Sequence, residues 1–315
     1  MGSFKTGLNV KDSGQRLKTS ALAADTGNCG VCRKHPNITA MAPIDIYFKN
    51  AAALPTMPEL ATRLMRSMER DDLGLGEMAE LIGRDPSLSA KVLRLANSAR
   101  YSPSQSVGSL RDASMMIGLQ GLRDLALAAC MSGMFPPKVT FDRARFWRHG
   151  VATAGHARAL APACRLDPDV AYLGGLVLRT GRILMLQVEP DAVASTDAEA
   201  VEPDSLMALE RARLGCTHAD ISAGLAERWH FPVELRAALA AASNPLNATP
   251  FSRLGGVLRL ASTLADAGER QLPELGTLKS VQGMLLARLD IDAEAVGPTL
   301  MSFELLTAGV DQMMA

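Results

Sequence analysis

The sequence predicts an all-α protein, built as a two-lobed helical bundle, and three observations carry that expectation. Aromatic residues make up only 4% of the 315 residues, against 16 Met and many Ala and Leu, a mixture that favours helices over sheets. Apolar residues recur at three- and four-residue spacing in one segment after another, and no stretch alternates as a half-buried strand does. Helix-start signals, a capping residue followed by Pro or by an acidic residue, recur along the chain.

The first 52 residues lack helical periodicity beyond a hint at 17–24 and read as a poorly ordered arm. Leu60, Leu64 and Met68 then form an apolar stripe behind Pro58, and Met78, Leu81 and Ile82 mark the next short helix after the Gly74–Gly76 break. At Asp85-Pro86 a carboxylate precedes a proline pre-set for the first turn. Leu88, Val92, Leu95 and Ala99 share one face of the helix that follows, with Lys91 and Arg94 on another. Ser109 and Asp112 resemble a capping box for a helix ending near Gly118, with another running to about Met131. Pro136-Pro137 separates the two lobes, expected at 53–135 and 138–247. Beyond it, 141–161 reads as a long helix carrying Trp147, His149 and His156, followed by a very apolar helix over 170–178. Residues 191–204, acidic and small, read as a loop. Thr217 to Asp220 looks like a helix start, Pro232 opens a further helix, and 248–315 holds two or three more as a C-terminal extension.

Hydrophobic residues at 48% and charged residues at 21% describe a core-forming globular chain and exclude disorder throughout. Lys plus Arg and Asp plus Glu are 33 each, so no basic excess draws the chain to phosphate backbones and nucleic-acid binding is disfavoured. Arg179 and Arg182 interrupt the most apolar window, 170–188, which excludes it as a membrane span. With no secretory signal, a cytoplasmic location is expected. Five Cys do not suggest a disulfide framework, and Cys130, Cys164 and Cys216 read as buried thiols. Cys29 and Cys32 with His35 have the spacing of a zinc or redox pair, but no second ligand pair follows, so this is a weak metal candidate.

The order of motifs resembles the HDOD family, a branch of the HD superfamily found in bacterial signalling proteins. The resemblance covers about 53–247. It rests on the run from Asp85-Pro86 through Lys91 and Arg94 to Asn97-Ser98, on Ser109 to Ala113 leading to Ile117-Gly118-Leu119, and on Leu122 to Leu125. Phe146-Trp147-Arg148-His149 and the run from Leu214 to Asp220 extend it. Catalytic HD proteins gather His and Asp ligands around one or two metals that generate hydroxide for phosphoester hydrolysis. The resemblance implies a first His at His149 and a later one at His218. It places the defining His-Asp pair at Leu178 and Arg179, a His-His pair of many relatives at Ala242 and Ser243, and the late Asp at Ser262. Leu cannot ligate a metal, and Arg sets a permanent positive charge where an anionic ligand is required.

The expectation is therefore a second lobe that is a degenerate HD bundle, without metal or cofactor. It acts as a non-enzymatic regulatory module on other signalling proteins. Two alternatives accompany it: a nucleotide second-messenger site in the former cleft, with Arg179 and Arg182 facing the anion, and a residual metal-dependent phosphohydrolase. His149 and His156 have an ordinary reading as hydrogen-bonded, partly buried histidines, and His218 as a surface or capping residue.

Overall fold

The computed structural model describes Gly2 and residues 43–49, 54–70, 74–98, 101, 107–134 and 141–311. Cys29, Cys32 and His35 lie outside the described residues, as does most of the predicted arm. Among the described residues every regular element is helical, as the sequence predicts.

Four helices form the N-terminal part: α1 (Glu59–Arg70), α2 (Leu75–Gly83), α3 (Pro86–Ala96) and α4 (Leu110–Met134). The Asp85 carboxylate accepts from the Ser87 and Leu88 amides at the start of α3, with Pro86 in the first turn. Gly118 sits inside α4 at φ 75°, ψ 173°, so α4 is two helices joined at a kink, at the position where the sequence breaks its pattern. The left-handed side of φ is open to glycine at little steric cost.

The second part begins with α5 (Arg143–Leu160), α6 (Pro168–Val177), α7 (Gly181–Val188) and α8 (Pro190–Glu199). It continues through α9 (Leu206–Leu214), α10 (His218–Arg228), α11 (Val233–Ala241), α12 (Arg253–Glu269) and α13 (Glu274–Leu289). Two short helices, α14 (Ala293–Val296) and α15 (Phe303–Thr307), follow. Helix α8 corrects the loop expected at 191–204. Its acidic residues face outward, while Val193 and Thr196 are fully buried and Pro190 starts the first turn.

Helix α5 is the spine, packed on α6 and α12. A Cβ on Gly175 of α6 would stand 2.6 Å from the Ala154 Cα of α5, so only glycine lets the two backbones approach this closely. One continuous apolar cluster runs from Ala61 and Leu64 through Trp147 and Leu176 to Leu258 and Leu289, joining both parts. Helix α12 lies in the segment expected as an extension, yet it belongs to this shared core. Part of the predicted arm is also docked. Pro43–Phe48 forms a 3-10 turn whose Tyr47 is buried against Met185, Val193 and Ile221 and bonds Glu189. Cys130, Cys164 and Cys216 are buried free thiols.

Candidate functional site

Phe146 and Trp147 anchor the first turns of α5 in the core, edge to face at 5.2 Å, and this fixes the rotation that turns His149 inward. From the facing helix α12, Asp266 meets it: His149 Nε2 lies 3.2 Å from Asp266 Oδ1. The other ring nitrogen stands 3.3 Å from the Thr153 hydroxyl, which donates to the His149 carbonyl at 2.8 Å. Asp266 Oδ2 accepts the Asp204 amide at 3.0 Å.

Burial, followed by the positive charge of Arg179, holds the His149 imidazole below its ordinary pKa, so it is neutral and donates Nε2–H. Burial alone would raise the Asp266 carboxyl, but the hydrogen bond from His149, together with the nearby positive charge and the Asp204 amide, outweighs it and holds the carboxylate ionised. The direction for each partner is the one expected of a neutral imidazole donating to a carboxylate.

His218 is the first residue of α10, as the Thr217 cap predicts: Thr217 Oγ accepts the Asp220 amide and the Asp220 carboxylate accepts the Thr217 amide. It is not a surface residue, however, since its backbone N–H and its Nδ1 both bond the buried Glu210 at 2.9 and 2.7 Å. Glu210 also takes Arg182 Nη1 at 2.5 Å, and Arg182 bonds Asp197 as well. Arg182 is thus a buried structural ion-pair partner, which corrects its expected role facing an anion. Desolvation would raise Glu210, and its His218 and Arg182 contacts more than offset that, so its carboxyl is held low.

Arg179 sits in the short connection between α6 and α7 and lines one small cavity with His149, His218, Asp204, Ser262, Asp266 and Met207. Of the positions that the resemblance singles out, His149, Arg179, His218 and Ser262 line this one cavity. Three expectations need correction. The family's late Asp is read as lost at Ser262, but a carboxylate does stand one turn later on α12, as Asp266. Leu178 is a core residue whose carbonyl accepts the Ser222 hydroxyl at 2.8 Å, outside the cavity lining. The carbonyls of Ala242 and Ser243 face the Arg259 guanidinium at 3.5 Å, also outside the lining. His156 is fully buried but not hydrogen-bonded; the nearest carboxylate, Glu274, is 3.5 Å away.

Asp204, Glu210 and Arg259 escaped the sequence reading. Arg259 Nε pairs with Asp204 Oδ1 at 2.7 Å, and Thr263 donates to the same carboxylate at 3.0 Å. Asp204 adopts φ 65°, and this lets its amide and its side chain both turn toward α12. Its short polar side chain is one of the few that tolerate this region. The only sequence signal was an acidic residue just ahead of an apolar helix start at Leu206.

A metal ion does not suit these residues. His149 and Asp266 are bonded to each other, His218 Nδ1 is spent on Glu210, and a guanidinium lines the same cavity. Among the described residues no three His, Cys, Asp or Glu side chains converge as a metal site requires. The cavity volume is about 10 Å³, the room of roughly one water.

The chain resembles several solved bacterial structures. A proposed phosphohydrolase from Shewanella amazonensis SB2B is 27% identical, with a TM-score of 0.67 over 86% of this chain and 98% of that one. A protein from Marinobacter aquaeolei VT8, named for a proposed role in signal transduction, is 26% identical, with a TM-score of 0.63 over 83% of this chain and 58% of that one. An HDOD domain protein of Geobacter sulfurreducens shares the fold at 21% identity and a TM-score of 0.61, over 84% and 98% of the two chains. An uncharacterized protein of Treponema pallidum is 27% identical over 182 residues, 57% of this chain, and the match spans 35% of that protein's length. The sequence profile of the HDOD domain matches residues 54–245, from the helix before the Asp85 cap through the His149 and His218 helices, and on that match the chain belongs to the HDOD domain family.

Proposed function

We propose that this chain is a non-catalytic regulatory module of bacterial signal transduction that works through contacts with other proteins. One observation carries the reading: the groups that would have to bind a metal are instead bonded to one another, with Arg179 among them. Metal-dependent hydrolysis needs neutral imidazoles and carboxylates free to converge on an ion with an open position for water. Here a fixed guanidinium charge beside Asp266 takes over the neutralising role of a cation. The likeness to a proposed signal-transduction protein supports a regulatory role. No helix among the described residues is long and apolar enough to cross a membrane.

The cavity between His149 and His218 leaves no room for a nucleotide, so a second messenger in the former cleft is not part of this reading. For partner contact, α4 exposes Met115 and Met116, 64% and 40% accessible, and Met side chains repack readily against varied surfaces.

The test is turnover by purified protein supplemented with manganese, iron, magnesium or zinc, on nucleotides, cyclic dinucleotides and generic phosphoesters. Cys29 and Cys32 are changed to Ser so that zinc bound there does not mislead. No turnover is expected. Metal-dependent turnover that disappears in His149→Ala would overturn the proposal. Pull-downs from the native host should lose specific bands when Met115 and Met116 are both changed to Glu; an unchanged set removes that face from the reading.

A further inference from the structure

A pocket of about 320 Å³ opens beside the former cleft, between α5, α8 and α12, with Arg179 in the wall that separates the two. Its volume lies at the small end of the range for ligand sites, about 300–1,000 Å³. Phe141 and Phe146 form an apolar side, and the rest of the lining holds four arginines and four carboxylates among small and aliphatic residues. The charges are unevenly engaged. Arg145 holds Glu269 at 2.9 Å, and Arg182 holds Asp197. Asp142 is spent as the N-cap of α5, accepting the Arg145 amide at 2.9 Å, and Asp266 is bonded to His149 and the Asp204 amide. Every carboxylate thus has a partner.

Two of the guanidiniums do not have a carboxylate partner. Arg270 gives its Nη atoms to the carbonyls of Val201 and Ala200 at 2.8 and 2.7 Å, which leaves its charge uncompensated, and its buried Nε lacks an acceptor. Arg179 makes no hydrogen bond or ion pair among the described residues, and its Nε is buried without an acceptor. An unsatisfied buried donor on a charged group is costly, and such groups call for an explanation. Arg270 and Arg179 line the same pocket. A guanidinium offers five donors in a fixed fork that matches the paired oxygens of phosphate and carboxylate.

We propose that this pocket binds a small molecule through an oxyanion, a phosphate or carboxylate group, received by Arg179 and flanked by Arg270. The apolar side formed by Phe141 and Phe146 would hold the body of that molecule. The site adjoins the former metal cleft but is distinct from it: Arg179 lines both, whereas Phe141, Arg145 and Arg270 line this pocket alone. The inference does not depend on the partner reading above, because binding is measured on the isolated chain.

The experiment titrates the full chain with inorganic phosphate and, separately, with acetate, against chloride at constant ionic strength, following heat and thermal unfolding. Saturable binding of at least one oxyanion is expected, weakened about tenfold or more in Arg179→Met. Lys279→Met removes an exposed charge paired with Glu294 elsewhere and should bind as the parent does. No saturable response to either oxyanion, or affinity undiminished in Arg179→Met, would overturn the proposal. Should Arg179→Met not fold, Arg179→Lys keeps the charge without the fork; weaker binding supports the proposal and unchanged affinity also overturns it.

Discussion

His149 and Asp266 are 117 residues apart in the chain and meet at 3.2 Å in the core between α5 and α12. This pair joins the two most heavily packed helices by a buried polar contact. It also occupies the imidazole nitrogen and the carboxylate that would have to face a metal ion. Removing one partner of a buried charged hydrogen bond leaves the other unsatisfied. Asp266→Ala is expected to destabilise the fold by about 2–4 kcal/mol, since it also strands the Asp204 amide. Asp266→Asn, which keeps the shape and one acceptor, should cost clearly less. Urea unfolding of the two variants checks the order, and equal losses would show that the pair does not matter.

Acid sensitivity follows from the buried histidines. Burial pushes His156 down to about 3, and His149, once protonated in acid, pushes the same way. In the unfolded chain its pKa is about 6.5, so the folded value is the lower one. Its stabilising contribution is complete above about pH 6.5 and is lost as pH falls from there toward about 3. His149 is shifted in the same direction by burial and Arg179. Each group adds a slope of at most about 1.4 kcal/mol per pH unit inside that window. His156→Leu should flatten the fall in urea midpoint between pH 7 and 5, and an unchanged slope would assign the acid sensitivity to other groups.

Glu210 links α7, α9 and α10 by binding Arg182 and His218 in the interior. Glu210→Ala leaves Arg182 with Asp197 alone and leaves the His218 amide and ring without their acceptor. A loss of about 3–5 kcal/mol is expected, as for other broken buried ion pairs. A chemical denaturation midpoint within error of the parent would mean that solvent replaces the carboxylate and that the site is wetter than the packing implies.

Close backbone approach makes a contrasting pair of glycine substitutions informative. Gly175→Ala would drive a methyl into the α5 backbone at Thr153 and Ala154, under 3 Å away. It should destabilise by about 1–3 kcal/mol or more, despite the better helix propensity of alanine. Gly276→Ala on α13 meets only Pro273 Cβ at 3.6 Å. There the propensity gain of up to about 1 kcal/mol should appear as a higher melting temperature. Equal responses at the two positions would contradict the α5–α6 packing.

Much of this protein is legible in the chain itself. The helical class, the Asp85 and Thr217 caps, the break at Gly118 and the apolar stripes all follow from local rules, because caps, kinks and periodicity depend on residues within one or two turns. The motif resemblance singled out His149, Arg179 and His218, which line one cavity. What the tertiary structure decided concerns partners distant in sequence. Asp266 rather than Ser262 faces His149 because the rotation of α12 is set by its packing on α5, and one turn of ambiguity cannot be resolved from spacing alone. Arg182 and Arg179 look alike in sequence, three residues apart in an apolar stretch. Folding brings Glu210 and Asp197 into ion pairs with Arg182, and sets Arg179 beside Asp266 without an ion pair between them. The acidic 191–199 stretch reads as a loop by composition, yet it is a helix because Val193 and Thr196 find a core to bury in. Whether a polar residue is solvated or paired inside depends on which helices are neighbours, a property of the assembled fold rather than of any one segment.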